Sequence, residues 1–269
     1  MRPELAEAAK SFRLATGPAR WRGRSGNRRG LGVGSSQEFL DFRDYSPGDD
    51  LRHLDWRGYA RTDQLKIRLF QEEVAPHVDV IVDASASMAS TSGKERATRD
   101  LVQLFAAWAA REGSRARCLR AGGGDLGDAE RRVFAGGAPF AAPGLALRQR
   151  GLRVVVSDFL QPDDPAPALR KIAAGAAALV VVQLLDPWER QPQELGATTL
   201  RDCESDAQLE VQLDARTLTA YQGRLQRLCE GVQHAVMALG GVFVGASAAS
   251  PGELCRRHLL PAGVVEPAA

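Results

Sequence analysis

The chain has 269 residues with a formal charge of +2, and its 44% hydrophobic and 25% charged residues are ordinary for one or two globular domains. No run of about 18 apolar residues occurs, so no membrane-spanning helix is expected. The charged start Met1-Arg-Pro-Glu-Leu-Ala-Glu lacks the apolar stretch of a signal peptide, so a cytoplasmic location is expected.

Charge is unevenly spread. Residues 1–36 hold eight basic and two acidic residues, +6, which leaves −4 for the remainder of a +2 chain. A basic arm on an acidic body points to an acidic partner, or to an arm that docks on its own domain. Residues 3–14 fit a short helix with Leu5, Ala8, Ala9 and Phe12 on one face, and Thr16–Ser36, rich in Gly and Arg, reads as loop. An acidic and aromatic run follows from Glu38 to Trp56, and Leu65–Phe70 alternates as a half-buried strand does.

After Pro76 strands alternate with helices. Val78–Val82 is a short apolar strand ending at Asp83-Ala-Ser85-Ala-Ser87. A helix then carries Ala97, Leu101, Leu104, Phe105 and Trp108, with Gly113 to stop it. Ala116–Leu119 and Arg131–Phe134 are weaker strands, whereas Leu152–Val156, ending at Ser157-Asp158, and Leu179–Leu185 are continuous apolar ones. Ala166–Ala174 reads as a helix, and Thr198–Leu200 with Leu209–Leu213 as a hairpin. Arg216–Leu239 is the strongest helix, striped by Leu218, Tyr221, Leu225, Leu228, Val232, Val236 and Leu239 and closed by Gly240-Gly241. Val242–Val244 and Glu253–Leu259 complete the series. This alternation predicts an α/β fold, a mainly parallel sheet with helices on both faces and ligands at the carboxyl ends of the strands. The expected division is an N-terminal arm and accessory segment over 1–75 and the α/β domain over 76–269.

Asp83, Ser85 and Ser87 offer three oxygen-bearing side chains on one tight turn, and Asp158 ends another buried strand. Hard cations such as Mg²⁺ prefer oxygen ligands and keep several waters. Two neutral hydroxyls with one or two carboxylates leave such an ion under-neutralised, so it seeks a carboxylate from a partner. The plainer alternative is that Ser85 or Ser87 caps the following helix. Cys118, Cys203, Cys229 and Cys255 form no C-x-x-C pair and read as reduced, and the four histidines show no zinc-site spacing.

Residues 27–260 resemble the bacterial domain-of-unknown-function family 58, whose members carry a von Willebrand A-like domain. The most specific match is Gly34-Ser-Ser-Gln-Glu-Phe-Leu-Asp-Phe-Arg-Asp-Tyr-Ser-Pro-Gly-Asp-Asp-Leu-Arg-His-Leu-Asp-Trp56. Arg68, Phe70, Glu72, Glu73, Asp83-x-Ser85-x-Ser87-Met88, Ser157-Asp158, Asp186-Pro187 and Tyr221 extend it. The resemblance implies a von Willebrand A-like, Rossmann-like fold with a metal-ion-dependent adhesion site at Asp83, Ser85, Ser87 and Asp158. It implies Mg²⁺, with Mn²⁺ as substitute. It also implies partners among MoxR-type AAA+ ATPases and other von Willebrand A proteins, in chaperone-like assembly. Such sites usually add a threonine before the second aspartate's strand, yet no Ser or Thr lies between Gly122 and Gly151, where Asp125 and Asp128 are the possible substitutes. The usual Gly-Asp after the first helix is also replaced, with Ser114-Arg115 near that place.

Tyr45, Asp49, Asp50, Arg52 and Asp55 form a candidate partner-binding surface. Its structural alternative is a Pro47-Gly48 turn with a packed Trp56 and aspartates paired with Arg43, Arg52 and Arg57. The expected role is therefore a non-enzymatic interaction module. A phosphatase or phosphotransferase is the first alternative, since Asp83 ends a buried strand. Ser85, however, stands where that class needs an acid, and no activating lysine is apparent. Nucleic-acid binding through Arg20–Arg29, with Trp21 to stack on bases, is the second, set against an acidic body without a recognised motif. Gly30-Leu-Gly-Val-Gly34 is not a P-loop, so no ATP hydrolysis is expected.

Overall fold

The computed structural model describes residues 1–15, 39–46, 51–70, 77–114, 116–123, 145–193 and 195–268. The chain divides into two compact units, one of Met1–Ser25 with Pro76–Ala269 and a smaller one of Gly26–Ala75. The first residues thus belong with the larger unit, whereas the sequence placed all of 1–75 together.

The elements in chain order are α1 (Pro3–Ser11), β1 (Phe12–Leu14), β2 (Phe39–Asp44), α2 (Trp56–Thr62), β3 (Lys66–Phe70), β4 (Val78–Val82), α3 (Ser92–Arg111), β5 (Ala116–Arg120) and β6 (Leu152–Ser157). They continue with α4 (Ala166–Ala173), β7 (Ala178–Leu185), α5 (Pro187–Arg190), β8 (Gly196–Arg201), β9 (Gln208–Leu213), α6 (Ala215–Ala238), β10 (Val242–Ser247), α7 (Pro251–Glu253) and β11 (Val265–Pro267). α7 runs on as a π-helical turn over Leu254–Leu259. The weak strand expected at Arg131–Phe134 and the loop of Thr16–Ser36 lie outside the described residues.

β10, β7, β6, β4 and β5 lie side by side in that order, every pair parallel. In chain order this is 2-1-3-4-5, the doubly wound arrangement whose direction reverses between the first and third strands. Strand residues alternate between two cores, as a period of two requires. Val78, Val80, Val82, Val154 and Val156 face α1 and α3 through Leu5, Leu101, Leu104, Phe105 and Trp108. Ile81, Val155 and Val181 face α4 and α6 through Leu169, Ile172, Val232 and Val236. Both faces are therefore covered, which lets these strands be apolar throughout.

Local signals end the helices as expected: Gly113 and Gly240 adopt φ of 72° and 70° after α3 and α6. α1 buries Leu5, Ala8 and Ala9 but stops at Ser11, because Phe12–Leu14 turns into an edge strand antiparallel to β11. The Arg111 guanidinium donates to the carbonyls of Ala9 and Phe12, satisfying the end of α1 from another helix. Arg2 pairs with buried Asp100 on α3.

In the smaller unit β2 and β3 pair antiparallel, with an irregularity between Phe39 and Asp41. Leu54 and Ile67 are buried there and bridge the chain before α2 to β3. Trp56, expected to pack, is instead 57% exposed and meets Tyr59 edge-on at 6.5 Å. It opens a two-turn helix that buries no residue, so no core is available to it there.

Candidate functional site

β4 and β6 are parallel neighbours, and their carboxyl ends flank the crevice where the strand order reverses. Asp83 and Asp158 follow these strands directly and are 3% and 2% exposed. The Asp83 amide donates to the Val156 carbonyl at 2.9 Å, which carries the sheet one residue past β4 and fixes the start of the turn.

The turn then folds on Asp83. Its Oδ1 accepts from the Ser85 amide at 3.0 Å, and its Oδ2 accepts from the Ser157 hydroxyl at 2.6 Å. Ser85 Oγ and Ser87 Oγ are hydrogen-bonded at 2.9 Å. Among the described residues, all donors to Asp83 are neutral. Burial pushes its carboxyl above the ordinary carboxylate range, the Ser157 and Ser85 hydrogen bonds oppose this, and the nearby Asp158 charge adds to it.

Neither serine caps the helix that follows. Ser85 precedes a 3₁₀ turn, Ala86–Ala89, without a side-chain cap bond. Thr91 caps α3, accepting from the Lys94 amide at 3.1 Å. The serine hydroxyls are bonded to each other instead, and that of Ser85 also supports Asp83.

Asp158 has a different partner. Its Oδ2 accepts from Lys94 Nζ at 2.7 Å, and its Oδ1 accepts from the Leu160 amide at 3.0 Å. The Lys94 ammonium, fully buried, also donates to Glu189 Oε1 at 2.7 Å. Glu189 closes a capping box with Asp186 at the start of α5. Its second oxygen accepts from the Asp186 amide at 2.7 Å, Asp186 accepts from the Thr91 hydroxyl at 2.7 Å, and the Tyr221 hydroxyl donates to the Glu189 carbonyl at 2.5 Å. Phe159, at φ 55°, turns the chain out of β6 while its amide donates to Ser157 Oγ at 3.0 Å.

A further carboxylate comes from the β8–β9 hairpin, where Glu204 Oε1 accepts from the Ser87 amide at 2.9 Å. The structure thus gathers Asp83, Ser85 and Ser87 in one turn and commits Asp158 to a lysine. Lys94, Glu189 and Glu204 were missed from the sequence, and a lysine does stand in this site. Asp49, Asp50, Asp125, Asp128 and the arm Arg20–Arg29 lie outside the described residues. Tyr45 and Asp55 are half-buried and Arg52 is exposed, all three in the smaller unit.

Two ligands at right angles around a cation, each about 2.0–2.1 Å from it, stand about 2.9 Å apart. The serine oxygens have that separation. Asp83 keeps acceptor capacity beyond its hydrogen bonds from Ser157 and Ser85, since a carboxylate offers about four acceptor positions. Asp83, Ser85 and Ser87 therefore fit a hard divalent ion, whereas Asp158 already has a counter-charge. Among the described residues no three His, Cys, Asp or Glu side chains converge as ligands, so hydroxyls must carry any such site. All four cysteines are free thiols, with Cys255 buried and Cys203 exposed.

Residues 41–120 and 142–228 match the family described as "Protein of unknown function DUF58". The chain belongs to this family. An uncharacterized protein of Mycobacterium tuberculosis (strain H37Rv) is 29% identical over 279 residues, covering 88% of this chain and 85% of that protein. An uncharacterized protein of Mycobacterium bovis matches with 29% identity over 88% of this chain and 85% of its own. The solved conserved hypothetical protein BatB from Bacteroides thetaiotaomicron overlaps with a TM-score of 0.35 at 14% identity, covering 65% of this chain and 91% of that one. An aerotolerance-related membrane protein from Bacteroides fragilis overlaps at 0.32 and 13% identity, over 70% and 98% of the two chains. No helix among this family member's described residues is long and apolar enough to cross a membrane.

Proposed function

We propose that this family member is a non-enzymatic protein-interaction module on a von Willebrand A-like α/β domain, acting in the cytoplasm. Its recognition edge is the crevice of Asp83, Ser85 and Ser87, with Asp158 alongside. Mg²⁺, or Mn²⁺ in its place, is held there by the three turn residues and completed by a carboxylate from the partner. The observation that carries this reading is the pair of serine oxygens 2.9 Å apart beside a buried carboxylate that lacks a cation of its own. The partner is a MoxR-type AAA+ ATPase or another von Willebrand A protein in chaperone-like assembly, an expectation that follows from the family resemblance. Exposed Leu160 and Trp188 belong to the segments that carry Asp158 and Glu189, and they supply apolar contact beside the polar centre.

A phosphotransferase remains the weaker alternative. Lys94 supplies the cation that the sequence had not revealed, but it bonds to Asp158 and not to Asp83. Ser85 stands where the acid–base carboxylate would be needed, and Asp83 is engaged through both oxygens. Release of phosphate from a generic phosphoester with Mg²⁺, abolished in Asp83→Ala, would favour that enzyme.

The deciding experiment is capture from the native organism with wild type, Asp83→Ala, and wild type in EDTA, identifying the bound proteins by mass spectrometry. A MoxR-type ATPase retained only by wild type with metal is the expected result. Equal capture in all three would move recognition away from this crevice, to the surface of Tyr45, Arg52 and Asp55.

A further inference from the structure

Lys94 occupies an expensive position. It is fully buried, and it lies in the first turn of α3, where the helix dipole favours anions over cations. A buried ammonium there needs compensation close by, which Asp158 and Glu189 provide at 2.7 Å each. The lysine is also positioned from both ends. Its amide is held by Thr91, Thr91 donates to Asp186, and Asp186 is locked to Glu189, which returns to the ammonium. The chain thus builds a closed ring of contacts around one cation, next to the only carboxylate of the pair that a divalent ion would need to share.

Asp83 stands in contrast: among the described residues its hydrogen bonds come from the neutral Ser157 hydroxyl and from Ser85. A divalent ion on Asp83, Ser85 and Ser87 would sit near an Asp158 carboxylate that already pairs with the Lys94 ammonium, which Asp158 shares with Glu189. It would meet the lysine's positive charge through that same group. We propose that Lys94 and a divalent cation are alternative counter-charges for this strand edge, with Lys94 the resident one that holds divalent affinity low in the wild-type chain. The inference rests on reading Asp83, Ser85 and Ser87 as cation ligands, and it supplies the regulation of that site. A partner or condition that draws Lys94 toward Glu189 alone frees Asp158 and strengthens ion binding.

The test is Mn²⁺ titration of the full chain, followed by the electron paramagnetic resonance of free Mn²⁺, for wild type, Lys94→Gln and Lys94→Arg. Removing a unit charge about one carboxylate away from a divalent ion is expected to tighten binding at least about tenfold in Lys94→Gln. Lys94→Arg, which keeps the charge, stays at the wild-type affinity, and Asp83→Ala in the Lys94→Gln background loses the gain. A purely structural lysine would give a different result: Lys94→Gln would destabilise the fold without tightening Mn²⁺. Should Lys94→Gln fail to fold, Lys94→Met keeps the length of the stem and makes the same comparison. Equal Mn²⁺ affinity in wild type and Lys94→Gln, lost in both on Asp83→Ala, overturns the inference while leaving the cation site standing. No Mn²⁺ binding in either chain overturns both the inference and the metal part of the proposed function.

Discussion

Two buried aspartates on one strand system, Asp79 within β4 and Asp83 just beyond it, have opposite surroundings. Asp79 is fully buried and takes both Nε and Nη2 of Arg117, at 2.9 and 3.0 Å, together with the Arg148 amide at 3.0 Å. Arg153 stands beside it in register on β6, its guanidinium donating to the carbonyls of Ile172, Ala174 and Arg148. That cluster is closed around Asp79, whose counter-charge and hydrogen bonds the chain itself supplies, although the buried Arg153 Nε finds no acceptor among the described residues. Among the described residues Asp83 receives neutral donors alone, and the Lys94 ammonium bonds to its neighbour Asp158. A closed network holds a sheet together, whereas an open one can change partners, and only the open one lies in the crevice.

The largest effect should come from breaking the closed cluster. Asp79→Ala takes the carboxylate from the Arg117 guanidinium and from buried Arg153 beside it, so a loss of about 3–5 kcal/mol in urea unfolding is expected, the range for removing one member of a buried pair. A loss near zero would mean that the Asp79 network is as replaceable as the Asp83 one, and the contrast would fail. A smaller effect should follow Glu204→Ala. This carboxylate is exposed and touches the crevice only through the Ser87 amide, so the unfolding midpoint should hold. Hydrogen exchange at the Ser87 amide should quicken alone. A matching rise along β4 would show that the hairpin carries the strand edge and does not merely rest on it.

Much of this was legible in the sequence. Continuous apolar runs placed Val78–Val82, Leu152–Val156 and Leu179–Leu185 within a residue of β4, β6 and β7, because strands covered on both faces admit few polar residues. The turn of Asp83, Ser85 and Ser87 was legible for the same reason, standing out where the apolar run stops. β1 and β11 were not, since three-residue strands carry no periodicity and their pairing joins the two ends of the described chain. Lys94 was hidden because it precedes the first apolar position counted for α3 and meets Asp158 only through the fold. Glu189 was within reach, as the third residue of a capping box opened by Asp186. Trp56 misled because an aromatic residue amid charges reads as core, whereas here its helix buries nothing.

The smallest effect is also the one that reads the open cluster most directly. Below the ordinary Asp value of 3.8 the Asp83 carboxyl is protonated in folded and unfolded chains alike and contributes no difference. As pH rises through that value the unfolded chain ionises first, because burial holds the folded carboxyl's pKa higher. Stability is lost across the window from there to the raised folded value, and the loss is constant above it. Asn at this position cannot ionise and escapes the loss, while its carbonyl keeps one of the two hydrogen bonds. Asp83→Asn should therefore gain on wild type as pH rises from about 3 toward neutrality and then run parallel to it, measured as the difference between paired urea titrations. Carboxylates distant from Asp83 titrate alike in both proteins and cancel from that difference. A gap that moved the other way would mean that a cation already compensates Asp83 in the folded chain. Mg²⁺ at millimolar concentration should produce that reversal in Lys94→Gln, where Asp158 is free to help hold the ion, well before it does so with Lys94 in place.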